Sequence, residues 1–332
     1  MNQTYEQAGV SISAGSEAVS QIKEIVRSTF QPNVLTDIGL FGGCFQFPTD
    51  TFQRPVLVAS TDGVGTKLMI ANMLNRHDTV GQCLVNHCVN DILTTGATPL
   101  FFLDYIGTGK LEPSIVKEII SGMAKACREN GCSLIGGEMA EMPGIYQIKD
   151  YNLVGTIVGV VDRQNMMTGK VRKGDLLLGL PSTGLHTNGY SLARKVLLEK
   201  YRIDEFVDSL GTTVGDALLQ VHRSYLKPVK PLLQNAGLHA ISHITGGGIV
   251  GNTSRVLPDD LRLRIDWKAW NWLPIFRLIQ EAGEIETEEM RKVFNLGIGM
   301  ILIVDRSSAD AIAGILNSSG ESVTLVGEVV EK

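Results

Sequence analysis

The apolar positions of the chain repeat with two periods, and each period marks a kind of element. In 17–29, EAVSQIKEIVRST, Val19, Ile22, Ile25 and Val26 recur at three- and four-residue steps and define one helical face, with Ser13 or Ser16 as its cap. Helical spacing returns at 77–95, at 113–129, where Pro113 suits a first turn, and at 188–200 over Leu192, Val196 and Leu197. It returns again at 246–255, 272–281, 286–292 and 307–317. Short apolar or alternating runs predict strands at 55–60 (PVLVAS), 99–106 (PLFFLDYI), 132–137, 151–162 and 175–182. Further strands are predicted at 240–244, 261–266, 298–304 and 322–329, while the glycine-rich stretch 39–47 reads as a loop.

This alternation predicts two α/β or α+β domains whose sheets are covered by helices. At 332 residues the chain exceeds one ordinary core. The polar, turn-rich segment RQNMMTGKVRKGD places the boundary near 163–174, giving domains 1–168 and 169–332. Trp267, Trp270 and Trp272 follow a strand and are expected to cover the second core. The net charge of −5 argues against a non-specific nucleic-acid binder but leaves room for a local basic cleft for a phosphorylated metabolite. Five cysteines without a CxxC pair read as reduced thiols of a cytoplasmic protein, not a zinc or disulfide framework. The N-terminal MNQTYEQAGV lacks the features of a secretory signal, and no apolar segment reaches the length of a membrane span.

Three polar groups in the first half carry candidate chemistry. Asp62-Gly63-Val64-Gly65-Thr66-Lys67 follows a strand; its glycines let backbone approach an anion, and Lys67 can neutralise phosphate. It is not a Walker loop, because Leu68 follows the lysine. Asp62 reads either as a magnesium ligand or as an Asx-turn residue. Asp91, with Asn86 and Asn90 nearby, puts a carboxylate in an apolar helix, which is costly unless paired or metal-bound. Asp104 raises the same question in a strand, where backbone N–H groups could satisfy it. Glu138 and Glu141 in GGEMAEMPG add carboxylates beside glycine-rich backbone.

In the second half, His186 and Asn188 lie in the polar segment PSTGLHTNGY, where a histidine can orient or protonate a substrate or simply serve a turn. Gly246, Gly247 and Gly248 open a helix, a setting that favours phosphate. No Ser/His/Asp or Cys/His arrangement follows from spacing.

These motifs together resemble one family. DGVGTK (62–67), ND followed by GATP (90–99), PLFFLDY (99–105), GGEMAEMPG (136–144), HTNGYS (186–191) and TGGG (245–248) stand in the order of the AIR synthetase, or phosphoribosylformylglycinamidine cyclo-ligase, family. The resemblance runs from YEQAGVSI to GIGM at 297–300. It implies a two-domain fold whose N-terminal sheet is completed by homodimerisation. It also implies ATP-dependent closure of formylglycinamidine ribonucleotide to aminoimidazole ribonucleotide in purine biosynthesis, with no nucleic-acid or membrane partner. On this resemblance Asp62, Asp91 and Glu138 hold Mg2+, with Glu141 of second rank. Gly63, Gly65, Thr66 and Lys67 meet the phosphates of ATP, and Gly42 and Gly43 close over the nucleotide. His186 and Asn188 face the substrate, and Gly246, Gly247 and Gly248 cradle its ribose phosphate. The catalytic set is then Lys67, Asp91 and His186. Two rivals are a kinase of the same architecture, which would leave phosphate on its substrate, and a silent dimeric scaffold.

Overall fold

The computed structural model describes residues 4–332. The chain divides into two units, one formed by the residues up to 92 together with 99–162, the other by 93–98 and 163–332. The boundary therefore falls before 168, and a short excursion at 93–98 belongs with the second unit. The Met167 N–H donates to the Thr95 carbonyl at 2.9 Å, which ties that excursion to the segment after 162.

The first unit opens with helix α1 (Ile12–Arg27), capped by Ser11, whose Oγ accepts from Ala14 N at 3.3 Å. Ser11 takes the cap because the helix starts a turn earlier than the Ser13–Ser16 spacing suggested. Ala18, Ile22 and Val26 are buried, whereas Val19 is exposed toward a cavity. Strand β1 (Pro55–Gly63) leads into α2 (Lys67–Leu74), a short helix that 67–74 does not advertise by its periodicity. Helix α3 (Asp78–Leu93), strand β2 (Thr98–Thr108), α4 (Pro113–Asn130), β3 (Ser133–Glu141) and β4 (Tyr151–Asp162) follow.

The sheet order is β1-β4-β2-β3, with β1 antiparallel to β4 and β2 parallel to β3. Strand β3 outruns its predicted end because the parallel ladder continues through Tyr105↔Glu138 to Thr108↔Glu141. Helices α3 and α4 meet at two glycines: a Cβ on Gly81 would strike the Ile119 carbonyl, and one on Gly122 the Asp78 carbonyl. That close approach fixes α3, which carries two site residues, and Leu84 beneath it is fully buried. Leu84→Ala would cost roughly 2–5 kcal/mol.

The second unit runs β5 (Leu176–Pro181), α5 (Tyr190–Leu198), a two-residue hairpin β6 (Phe206–Val207) and β7 (Thr212–Thr213), then α6 (Val214–Leu218) and α7 (Leu226–Val229). It continues through β8 (Leu238–His243), α8 (Gly248–Thr253), β9 (Leu261–Ile265), α9 (Pro274–Gly283) and α10 (Thr287–Val293). The chain ends with β10 (Ile298–Val304), α11 (Ala309–Ser318) and β11 (Thr324–Glu331). Its antiparallel sheet has the order β8-β10-β5-β11-β9. All seven residues of β10 are buried, as the continuous apolar run IGMILIV requires of a central strand. Trp267 and Trp270 pack against this core, and Trp270 Nε1 donates to the Leu296 carbonyl at 2.9 Å.

Candidate active site

At the end of β1 the polar residues gather around a histidine the sequence did not single out. Asp62 Oδ2 lies 2.7 Å from His87 Nε2, and Asp91 Oδ2 lies 3.9 Å from the same nitrogen. His87 and Asp91 are one helical turn apart on α3, so both side chains leave the helix on the face toward β1. Asp62 Oδ1 accepts from the Gly63 N–H at 2.7 Å, and the Ser60 hydroxyl donates to Asp91 Oδ2 at 3.1 Å. Both carboxylates are only part-buried while His87 is buried, so the oxygens form the accessible surface of the cluster. Two hard oxygen donors with solvent access fit a divalent cation such as Mg2+.

The DGVGTK turn follows directly. Gly65 has φ +67°, the left-handed conformation a glycine adopts without strain. Gly65 is exposed, and Gly63 and Thr66 are part-exposed. Lys67 is fully buried, and its Nζ donates to Cys83 Sγ at 3.1 Å. Lys67 thus sits beneath the turn instead of on the surface, and burial lowers its pKa by disfavouring the charged ammonium. Asn90 is also buried, and Asn86 accepts from Asn130 Nδ2 at 2.8 Å. Asn86 thus ties α3, the helix that carries Asp91, to Asn130 of α4.

Gly42, Gly43 and Glu138 occupy a different place in the unit. They line a cavity of about 810 Å³ between α1, the 37–43 loop and strands β2 and β3. Glu138 lies on edge strand β3, and Asp62 on the opposite edge strand β1. Two strands intervene, a lateral separation of roughly 14 Å. One chain therefore brings Asp62 and Asp91 together and leaves Glu138 apart from them. Glu141 is committed to the backbone, accepting from Leu111 N at 2.8 Å and from Ser11 N at 2.5 Å.

In the second unit the HTNG and TGGG segments meet. A Cβ on Gly246 would come within 3.1 Å of Asn188 Oδ1, a tight contact that would push the Asn188 side chain aside by a few tenths of an ångström. Asn252 pins the glycine loop, donating to the Gly248 carbonyl at 2.8 Å and to that of Thr245 at 3.1 Å. Gly246 and Gly247 are exposed, Gly248 is buried and Asn188 is part-exposed.

His186 is enclosed, with φ +63° and 1% exposure. Its Nε2 accepts the Thr183 N–H at 3.2 Å, which assigns the proton of the neutral ring to Nδ1. The ring stacks on His222 at 4.0 Å between centroids, and His222 Nε2 lies 3.0 Å from His243 Nε2. Three buried imidazoles thus stand in contact. His222 left no trace in the sequence pattern; His243 adjoins TGGG, and that adjacency was the available signal.

These two units, with their sheets and glycine loops, define the class: residues 48–161 match the family model of the AIR synthase related protein N-terminal domain, and 172–332 that of the C-terminal domain. Phosphoribosylformylglycinamidine cyclo-ligase of Alkaliphilus metalliredigens is 48% identical over 330 residues, covering 98% of this chain and 95% of that protein. The protein of the same name from Bacillus thuringiensis is 46% identical, covering 100% and 96%. The chain belongs to the phosphoribosylformylglycinamidine cyclo-ligase family. Its fold is also similar to thiamine-monophosphate kinase from Stenotrophomonas maltophilia, with TM-score 0.72, 14% identity and 94% of each chain covered. Hydrogenase maturation protein HypE in complex with ATP gives TM-score 0.67 and 17% identity, covering 97% of this chain and 88% of that one. At those identities the likeness concerns the fold alone.

Proposed function

We propose that the chain converts formylglycinamidine ribonucleotide to aminoimidazole ribonucleotide at the expense of ATP, releasing ADP and phosphate, as a step of purine biosynthesis. The observation that carries this reading is full-length identity of 46–48% to cyclo-ligases in a chain where HTNG packs on TGGG. The γ-phosphoryl group goes to the formyl amide oxygen. The amidine-side nitrogen attacks that carbon, and phosphate leaves with the oxygen. An amide oxygen is a poor leaving group and phosphate a good one, so the protein's task is alignment and charge neutralisation.

Asp62 and Asp91 hold Mg2+, which when bound would screen the phosphate charges. Lys67 meets the phosphates from beneath the turn, where their negative charge favours its protonated form against the cost of burial, and Gly63, Gly65 and Thr66 offer backbone and hydroxyl groups to them. Gly42, Gly43 and Glu138 surround the other end of the nucleotide, and Glu141 fixes the backbone beside it. Asn188 with Gly246, Gly247 and Gly248 meets the substrate phosphate and ribose. His186 orients that turn from below.

Association of two copies is part of this reading, and an exposed face of the first sheet supports it. Leu57 is 62% exposed on β1, with Ala59 beside it, and Val158 on β4 shares that face. Five free cysteines between residues 44 and 132 suit a reducing compartment, which supports a cytoplasmic location. No helix among the described residues is long and apolar enough to cross a membrane.

Incubation with ATP, Mg2+ and formylglycinamidine ribonucleotide tests the reading. Aminoimidazole ribonucleotide in stoichiometry with ADP supports it; a phosphorylated, uncyclised product would instead make the protein a kinase.

A further inference from the structure

The cavity of the first unit holds one carboxyl group that neither the metal pair nor the substrate loops use. Apolar side chains line much of it, among them Val19 and Ile22 of α1 and Leu103 and Ile135 of the sheet. Asp104 stands on β2 among them. Its place depends on Gly137, the residue beside it on β3, where any Cβ would collide with the Asp104 carboxyl group. Among the described residues the only hydrogen bond to that carboxyl comes from its own backbone N–H. Two other acids line the cavity, and both are engaged. Asp37 pairs with Arg27 and, at 3.4 Å, with Lys23; Glu138 accepts from Met139 N at 2.8 Å.

These observations specify a ligand. A purely apolar occupant would leave the Asp104 carboxyl desolvated and unmatched, which is costly. An anionic group would meet three carboxyls. A flat heteroaromatic ring with an N–H donor on its edge satisfies the walls and the acid together, and about 810 Å³ is ample for it. We infer that Asp104 is the specificity residue for the nucleotide, accepting a hydrogen bond from the exocyclic 6-amino group of a purine base stacked between α1 and the sheet. The inference rests on the ATP-dependent reading above and names the atom by which adenine is chosen. Burial holds the Asp104 carboxyl up to about 7, and it offers an acceptor oxygen in either protonation state.

The test is calorimetric binding of Mg-ATP and of Mg-purine riboside 5′-triphosphate, which lacks the 6-amino group, to wild type, Asp104→Leu and Asp104→Asn. Wild type should prefer ATP by about 10- to 100-fold, the range for a hydrogen bond to a charged acceptor. Asp104→Leu should bind both alike, while Asp104→Asn, keeping a carbonyl acceptor, should retain most of the preference. Equal affinities in wild type, or an undiminished gap in a folded Asp104→Leu, would overturn the inference; the wild-type comparison decides even where the leucine variant fails to fold. Binding of neither nucleotide by wild type would remove the ATP reading itself, an outcome separate from equal binding of both.

Discussion

The Nε2 atoms of His222 and His243 lie 3.0 Å apart, so one ring donates, the other accepts, and they share one proton. Stacking of His222 on His186 carries this constraint to the HTNG turn. His222→Phe preserves an aromatic ring for stacking and removes the hydrogen bond. It should lower kcat by about 5- to 30-fold, the equivalent of one buried hydrogen bond, with little change in nucleotide affinity. Steady-state kinetics beside ATP binding checks this. A matching loss of ATP affinity would place His222 in the nucleotide half.

His186 needs a substitution chosen for its backbone. At φ +63° an alanine is strained, whereas asparagine tolerates the left-handed region. His186→Asn should therefore fold, with a thermal midpoint close to wild type, and lose turnover by at least tenfold while keeping ATP binding. Retention of wild-type kcat would show the imidazole to be a turn residue only.

Asp91 presents a part-exposed oxygen beside Asp62, with His87 between them. Asp91→Asn keeps the shape and the Ser60 contact but removes the charge that attracts a cation. Turnover should fall by roughly 100-fold or more at saturating Mg2+, with far-ultraviolet circular dichroism unchanged. Near-wild-type kcat under those conditions would contradict the metal assignment.

Asp104 links the cavity to stability. Its folded pKa of about 7 lies above the ordinary carboxyl value, so the folded state binds more protons than the unfolded one between about pH 4 and 7. Stability therefore falls across that window, and the penalty is complete above pH 7. Asp104→Asn should stabilise the protein by roughly 1–3 kcal/mol at pH 8 and by nothing at pH 4, because the part-exposed site solvates some of the charge. Thermal melts at the two pH values measure it. A gain independent of pH would deny the burial.

The fold was legible where periodicity is strong. The run IGMILIV and the alternation of YNLVGTIVGVVD appear as β10 and β4, because a central strand and a half-buried strand each impose their pattern on the sequence. Helix α2 was not, since Lys67 is buried at its first position and the helix has no polar face to reveal it. In the site, glycine-bounded motifs located Asp62, Asp91, Asn188 and the 246–248 loop, because close backbone approach leaves glycine in the sequence. His87 and His222 were hidden: each sits in a helix or loop interior and gains its role only from residues distant in the chain. The separation of Glu138 from Asp62 was equally invisible, since the order of strands in a sheet is not written in any one strand.

In the proposed chemistry the amide oxygen leaves as phosphate, and an isotope follows that oxygen. Formylglycinamidine ribonucleotide carrying 18O at the formyl amide oxygen should, with ATP and Mg2+, yield unlabelled aminoimidazole ribonucleotide and one 18O per inorganic phosphate by mass spectrometry. Unlabelled phosphate, with the 18O released to water, would contradict activation of that oxygen by phosphoryl transfer.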